Sequence, residues 1–241
     1  VKEVEILSAE GGHGASGPLF DIPIPGTEYH LPIYDFVITS WAIMFVLGFT
    51  AWLASRNMKR LPQGVQNVWE YIVEGLFDFF GGLMGERRAR LYGPFLATCF
   101  LYILLSNYTG LIPGAAKVRG LMPPTNNVSI TAALAILVFV SVFYFGLKAK
   151  GIGFFKHFVQ PMVFLLPLVI LDELVRPVSL TLRLYGNIFG EEMIIEQLGH
   201  MMPLLLPLPM MLLGLLTGAI QAFVFTLLAS SYIAEATEEH H

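Results

Sequence analysis

Residues 171–196, LDELVRPVSLTLRLYGNIFGEEMIIE, set Asp172, Glu173, Arg176, Arg183, Glu191, Glu192 and Glu196 into a run otherwise apolar enough to lie in lipid. A charged side chain at the bilayer centre costs roughly 3 kcal/mol on insertion scales, so intramembrane charges are as a rule functional. Arg176 has a local answer, because Asp172 and Glu173 precede it by four and three residues on the same helical face. Arg183 has none: its neighbours at those spacings are Ser179, Leu180, Gly186 and Asn187. Glu191, the nearest downstream carboxylate, stands about 12 Å further along a helix axis.

Guanidinium keeps its proton above pH ~12, so Arg183 needs water, a cage of carbonyls, or an acid from another chain. One reading pairs it with Asn187, Gln221 and water as an assembly device. The sharper reading is a fixed cation facing a carboxylate on a partner, which ionises opposite Arg183 and regains its proton elsewhere. Polar residues on both sides fit a proton route interrupted at that arginine. Asp172, Glu173 and Ser179 lie toward one end; Asn187, Glu191, Glu192 and Glu196 lie toward the other. On a straight helix Glu192 is about half a turn from Arg183, as an access channel behind the partner surface requires. Gln221 is the one amide in the apolar middle of the last segment, and Glu196 beside His200 reads equally well as a solvated interfacial group.

These residues need membrane helices to hold them. The 241 residues are 55% hydrophobic and 13% charged, with mean hydropathy +0.67. A soluble domain carries nearer about a quarter charged residues. Net charge −4 argues against nucleic-acid binding. Cys99, the single cysteine, excludes an internal disulfide and is expected to be buried and inert. No cofactor or metal-ligand pattern stands out, and the terminal pair His240 and His241 reads as solvated. The start lacks a basic stretch followed by an apolar core, so no cleavable signal is expected.

The expected fold is an all-α integral membrane protein. Residues 1–33, with Pro18, Pro23, Pro25 and Pro32, form an extramembrane lead-in, and 34–241 one membrane domain. Spans are expected over 34–55, 92–112 and 128–147. Residues 63–84 read as an amphipathic helix lying at the interface, with Val65, Val68, Trp69, Ile72, Val73, Leu76, Phe80 and Leu83 on its apolar face. Gln66, Asn67, Glu70, Glu74 and Asp78 take the other face. Residues 161–199 would run roughly 58 Å if wholly helical, so this segment either breaks or lies strongly tilted. Pro167 and Pro177 are placed to bend it, and the favoured reading is a strongly tilted pair of long helices, 161–199 and 208–234. A turn holding Pro203, Pro207 and Pro209 joins the two. Gly186 with Gly190, and Gly214 with Gly218, give each long segment a surface for close helix approach.

Basic residues orient the chain. Arg56, Lys59, Arg60, Arg87, Arg88, Arg90, Lys148, Lys150 and Lys156 fall on one side, against Lys2, Lys117 and Arg119 on the other. The positive-inside rule then gives five crossings, with the amino terminus outside and the carboxyl terminus cytoplasmic. The acidic tail EATEEHH contributes little to that rule. A secondary transporter would show internal repeats, which are absent here. A structural scaffold would tolerate loss of Arg183.

RPVSLTLRLYGNIFGEE at 176–192 and IQAFVFTLLASSYIAEA at 220–236 closely resemble subunit a of F-type ATP synthases. YGPFLATCFLYILLSNYTGLIPG at 92–114 and PPTNNVSITAALA at 123–135 resemble that family as well. The resemblance implies that Arg183 is the family's essential arginine, facing the carboxylates of a rotating c-ring. It implies further that Asn187, Glu192 and Gln221 match polar positions of the proton path, and that Arg176 matches a basic residue one heptad earlier. Gly214 falls where some relatives carry an ionisable residue paired with the Glu192 position, leaving Glu191 or Glu196 to compensate. Implied partners are the c-ring, peripheral-stalk b subunits and the lipid bilayer of an energy-transducing membrane, such as a bacterial inner membrane.

Overall fold

The computed structural model describes residues 20–23, 30–56, 58, 64–112, 122–151, 166–202 and 205–238. A hairpin of β1 (Phe20–Pro23) and β2 (His30–Ile33) precedes α1 (Asp35–Arg56), α2 (Val65–Met84), α3 (Glu86–Thr109), α4 (Val128–Lys150), α5 (Leu166–Met201) and α6 (Pro207–Thr237). Residues 20–33 thus hold an antiparallel pair, Phe20 opposite Ile33 and Pro23 opposite His30, where the prolines led only to the expectation that no long helix forms. Proline prevents a helix there but not a two-stranded ribbon, in which every strand is an edge. Lys2, Pro18, Pro25, Lys59, Arg60, Lys117, Arg119, Lys156, residues 161–165, Pro203, His240 and His241 lie outside the described residues.

The fold is that of an all-α membrane protein. Four helices, α1, α3, α4 and α6, are long and apolar enough to cross a bilayer. The fifth expected crossing, α5, has 36 residues, about 54 Å at the helical rise, and is set apart from those four by its charges. It runs unbroken through Pro177, and Thr181 Oγ1 donates to the Pro177 carbonyl at 2.8 Å. Of the two alternatives, a broken or a continuous long helix, the described residues show the continuous one.

Helix boundaries differ most at α3, which begins at Glu86 rather than near 92 and takes Arg87, Arg88 and Arg90 into its first turns. Gly85 alone separates α2 from α3, at φ 84° and ψ 149°. A positive φ of this kind suits glycine, which lacks the Cβ that would clash. Asn127 caps α4, its side chain accepting from the Ser129 N–H at 2.8 Å.

α5 packs against α4 and α6, and α6 also against α3; α2 lies on α3 and α6, and α1 on α2 and α3. Leu180, Leu184 and Ile188 are buried on one face of α5, and Leu180 and Leu184 join a core cluster with Ala135 and Val138 of α4 and Phe225 and Ile233 of α6. Lipid tails are as apolar as leucine, so close packing rather than escape from water holds such helices together. The heptad Ala222, Ala229 and Ala236 supplies the small side chains that this requires.

The apolar face expected of α2 divides. Leu76, Phe80 and Met84 are buried, whereas Val65, Val68 and Leu83 are exposed. Gln66, assigned to the polar face, is buried and donates to Glu70 at 2.7 Å.

The close-approach expectation divides likewise. A Cβ at Gly218 would stand 3.2 Å from Asn107 Cβ, so α3 and α6 meet tightly there. Gly186 and Gly190 meet nothing within 4 Å.

Candidate functional site

Two arginines of α5 have opposite surroundings. Arg176 is nearly enclosed: its guanidinium lies 3.2 Å from Asp172, 3.2 Å from Glu173 and 3.3 Å from Glu235, with the Tyr232 ring 4.7 Å away. The alternative of Asp172 or Glu173 resolves to both, with a third acid from α6. Glu235 had been read as the start of an acidic tail, yet it lies inside α6. Its position two heptads after Gln221, hence on nearly the same face, was the available signal. Tyr232, inside the expected 208–234 segment, was not singled out.

Arg183 is exposed and makes no hydrogen bond or ion pair among the described residues. On the same helix Val175, Val178 and Leu182 are exposed, and on α6 so are Leu216 and Ile220. The guanidinium thus stands exposed on a helix with exposed apolar neighbours, and it pairs with no carboxylate among the described residues.

One turn beyond Arg183, Asn187 Nδ2 donates to Gln221 Oε1 at 2.8 Å, joining α5 to α6. Gln221 is 3% exposed, and its Nε2 has no hydrogen-bond partner among the described residues. Glu191 accepts from Thr217 Oγ1 at 3.2 Å and fills the space that a Cβ on Gly214 would take. Glu191 rather than Glu196 is thus the carboxylate over Gly214. Glu196 points instead toward His200, 4.0 Å away, with both side chains largely exposed. Glu192 is half-buried and accepts a hydrogen bond from Asn126 Nδ2, in the short turn before α4. Ser179 is half-buried and joins none of these contacts.

Asn126 was missed because a Pro-Pro-Thr-Asn-Asn run reads as a turn. Beside it, Asn107 of α3 donates to the Gly218 carbonyl at 3.0 Å. Ser106 Oγ, Asn107 Oδ1, Thr125 Oγ1 and Asn126 Oδ1 are buried without a partner among the described residues. Buried polar atoms are nearly always hydrogen-bonded in native proteins. This end of the bundle therefore has capacity to hold water or a proton.

The other end is closed by cations. Arg88 Nη1 donates to the Ala234 carbonyl at 3.2 Å and Lys150 Nζ to the Glu235 carbonyl at 3.4 Å. Carbonyls in the last turn of a helix lack intrahelical donors and carry its negative dipole end, which cations satisfy. Cys99 is buried and free, as expected.

A family profile described as ATP synthase A chain matches residues 37–234. Among curated relatives, an ATP synthase subunit a from Moorella thermoacetica is 46% identical over 223 residues, covering 90% of this chain and 98% of the relative. A chloroplastic ATP synthase subunit a from Stigeoclonium helveticum is 39% identical, covering 90% and 89%. Another, from Oedogonium cardiacum, is 40% identical and covers 94% of each chain.

Proposed function

This chain belongs to the ATP synthase subunit a family, and on that premise we propose that it is the proton-conducting stator subunit of an F-type ATP synthase. Its role is to translocate ions within the membrane sector, without catalysing ATP chemistry itself. Arg183 faces the carboxylates of a rotating c-ring, and peripheral-stalk b subunits hold the chain still against that rotation.

Protons enter from outside past Glu192, Glu191, Asn187 and Gln221, with Glu196 at the mouth, and neutralise a c-ring carboxylate. The neutral site turns through lipid. When it returns, the carboxylate loses its proton past Ser179, Asp172 and Glu173 and ionises opposite Arg183, since a nearby cation favours the charged form. Arg183 also separates the two half-channels, because a guanidinium neither gives up its proton nor passes one on. Each charge crossing 100 mV releases about 2.3 kcal/mol, so several crossings drive one ATP synthesis. The amino terminus faces outside and the carboxyl terminus the cytoplasm of a bacterial inner membrane.

The observation that carries this reading is the pairing of an unneutralised Arg183 with an exposed apolar face. Leu182, on that face and 63% exposed, is the position for a test. Leu182→Cys in the assembled complex is expected to cross-link to a cysteine beside the carboxylate of a c-subunit helix. Native Cys99 does not compete, being 6% exposed. Cross-linking only to lipid, or to b subunits, would overturn the assignment.

A further inference from the structure

Beyond the proton route, an open cleft of about 630 Å³ lies where the end of α2, the start of α3 and the ends of α4 and α6 converge. Arg87, Arg88 and Lys148 line it, with Met84, Leu91 and Tyr92. Arg87 and Lys148 are exposed and have no ion-pair partner among the described residues, although Glu86 and Glu238 also reach the cleft. Arg88 spends two N–H groups on the carbonyls of Met84 and Ala234. A guanidinium has about five, so it keeps donors for a further acceptor.

Below the cations the surface turns apolar. On α4, Lys148, Tyr144, Val140 and Ile136 recur every four residues and are exposed, and on α3 Arg87 is followed one turn later by Leu91. α3 and α4 meet there through aromatic rings, Tyr92 and Phe95 lying 4.7 and 6.0 Å from Phe145. We propose that this cleft and the groove beneath it bind one anionic phospholipid. Its phosphate sits among Arg87, Arg88 and Lys148, and its acyl chains run over Leu91 and Tyr144. The charges sit at the helix ends, where headgroups lie, and the apolar stripe descends toward the hydrocarbon. Basic pockets between membrane helices recognise anionic headgroups in this way, at roughly 1 kcal/mol for each Lys or Arg near the surface.

The test uses the intact complex in nanodiscs of phosphatidylcholine containing a photoactivatable phosphatidylglycerol, with a photoactivatable phosphatidylcholine as control. The anionic probe is expected to label peptides carrying residues 84–92 and 144–150 in preference to the neutral one. Arg87→Gln with Lys148→Gln lowers that preference about fivefold for each basic residue removed. Arg87→Lys with Lys148→Arg keeps it, which separates charge from damage to the fold. Equal labelling by both probes, preference unchanged in the glutamine variant, or no labelling because another subunit covers the cleft would each overturn the proposal.

Discussion

Arg176 and Arg183 stand one heptad apart on a single helix, and the protein treats them in opposite ways. Three carboxylates and a tyrosine ring surround the first, while the second has no acid beside it among the described residues. The difference lies in the neighbours rather than in the arginines. α6 approaches Arg176 with Glu235 and Tyr232, but it approaches the next turns of α5 with the amide Gln221. An amide can fix Asn187 without neutralising a cation. Acids in cis gather on the first arginine, whereas one turn beyond the second the two helices join through amides.

Removing the offered charge should have the largest effect. Arg183→Ala is expected to abolish ATP-driven acidification of membrane vesicles, followed with a quenched acridine dye, while the complex still assembles. Arg183→Lys should fail as well, since a lysine can lose its proton when buried. Normal pumping in either variant would break the comparison. A sharper probe gives Arg183 an acid of its own. Gln221→Glu places a carboxylate across from Asn187, one turn from Arg183, and should cut pumping about tenfold, the equivalent of ~1.4 kcal/mol. Pumping at the native rate would mean that the partner carboxylate does not compete with one from this chain. The smallest change is expected on the enclosed side. Glu235→Gln leaves Asp172 and Glu173 on Arg176, and partly exposed pairs contribute below about 1 kcal/mol. Thermal unfolding of the detergent-solubilised complex should shift little and pumping should stay near native. A loss as deep as that of Arg183→Ala would make the enclosed arginine part of the transfer step itself.

Hydropathy and charge made much of this architecture legible. The four apolar spans follow from composition, and the bonds of Arg176 to Asp172 and Glu173 follow from helical spacing. Contacts across helices were not legible. Glu235 reaches Arg176, and Asn126 reaches Glu192, over sequence separations that no local periodicity encodes. The positive-inside rule also counted Arg88 and Lys150 as topological charges, whereas both donate to the last turn of α6. The long course of α5 through Pro177 matches the favoured reading, but the sequence left a break there open. Neighbouring helices decide whether a proline in lipid ends a helix, and those neighbours are known only once the chain has folded.

The single residue between α2 and α3 carries a mechanical consequence. α2 and α3 also pack against each other on either side of Gly85, so the two helices form one bent lever. A push delivered to α2 by a neighbouring subunit passes directly to α3. From there Asn107 and Tyr108, gripping the carbonyls of Gly218 and Leu215, hand it to the helix that bears Gln221. Lengthening the joint by a few flexible residues would loosen that linkage without touching a single ionisable group.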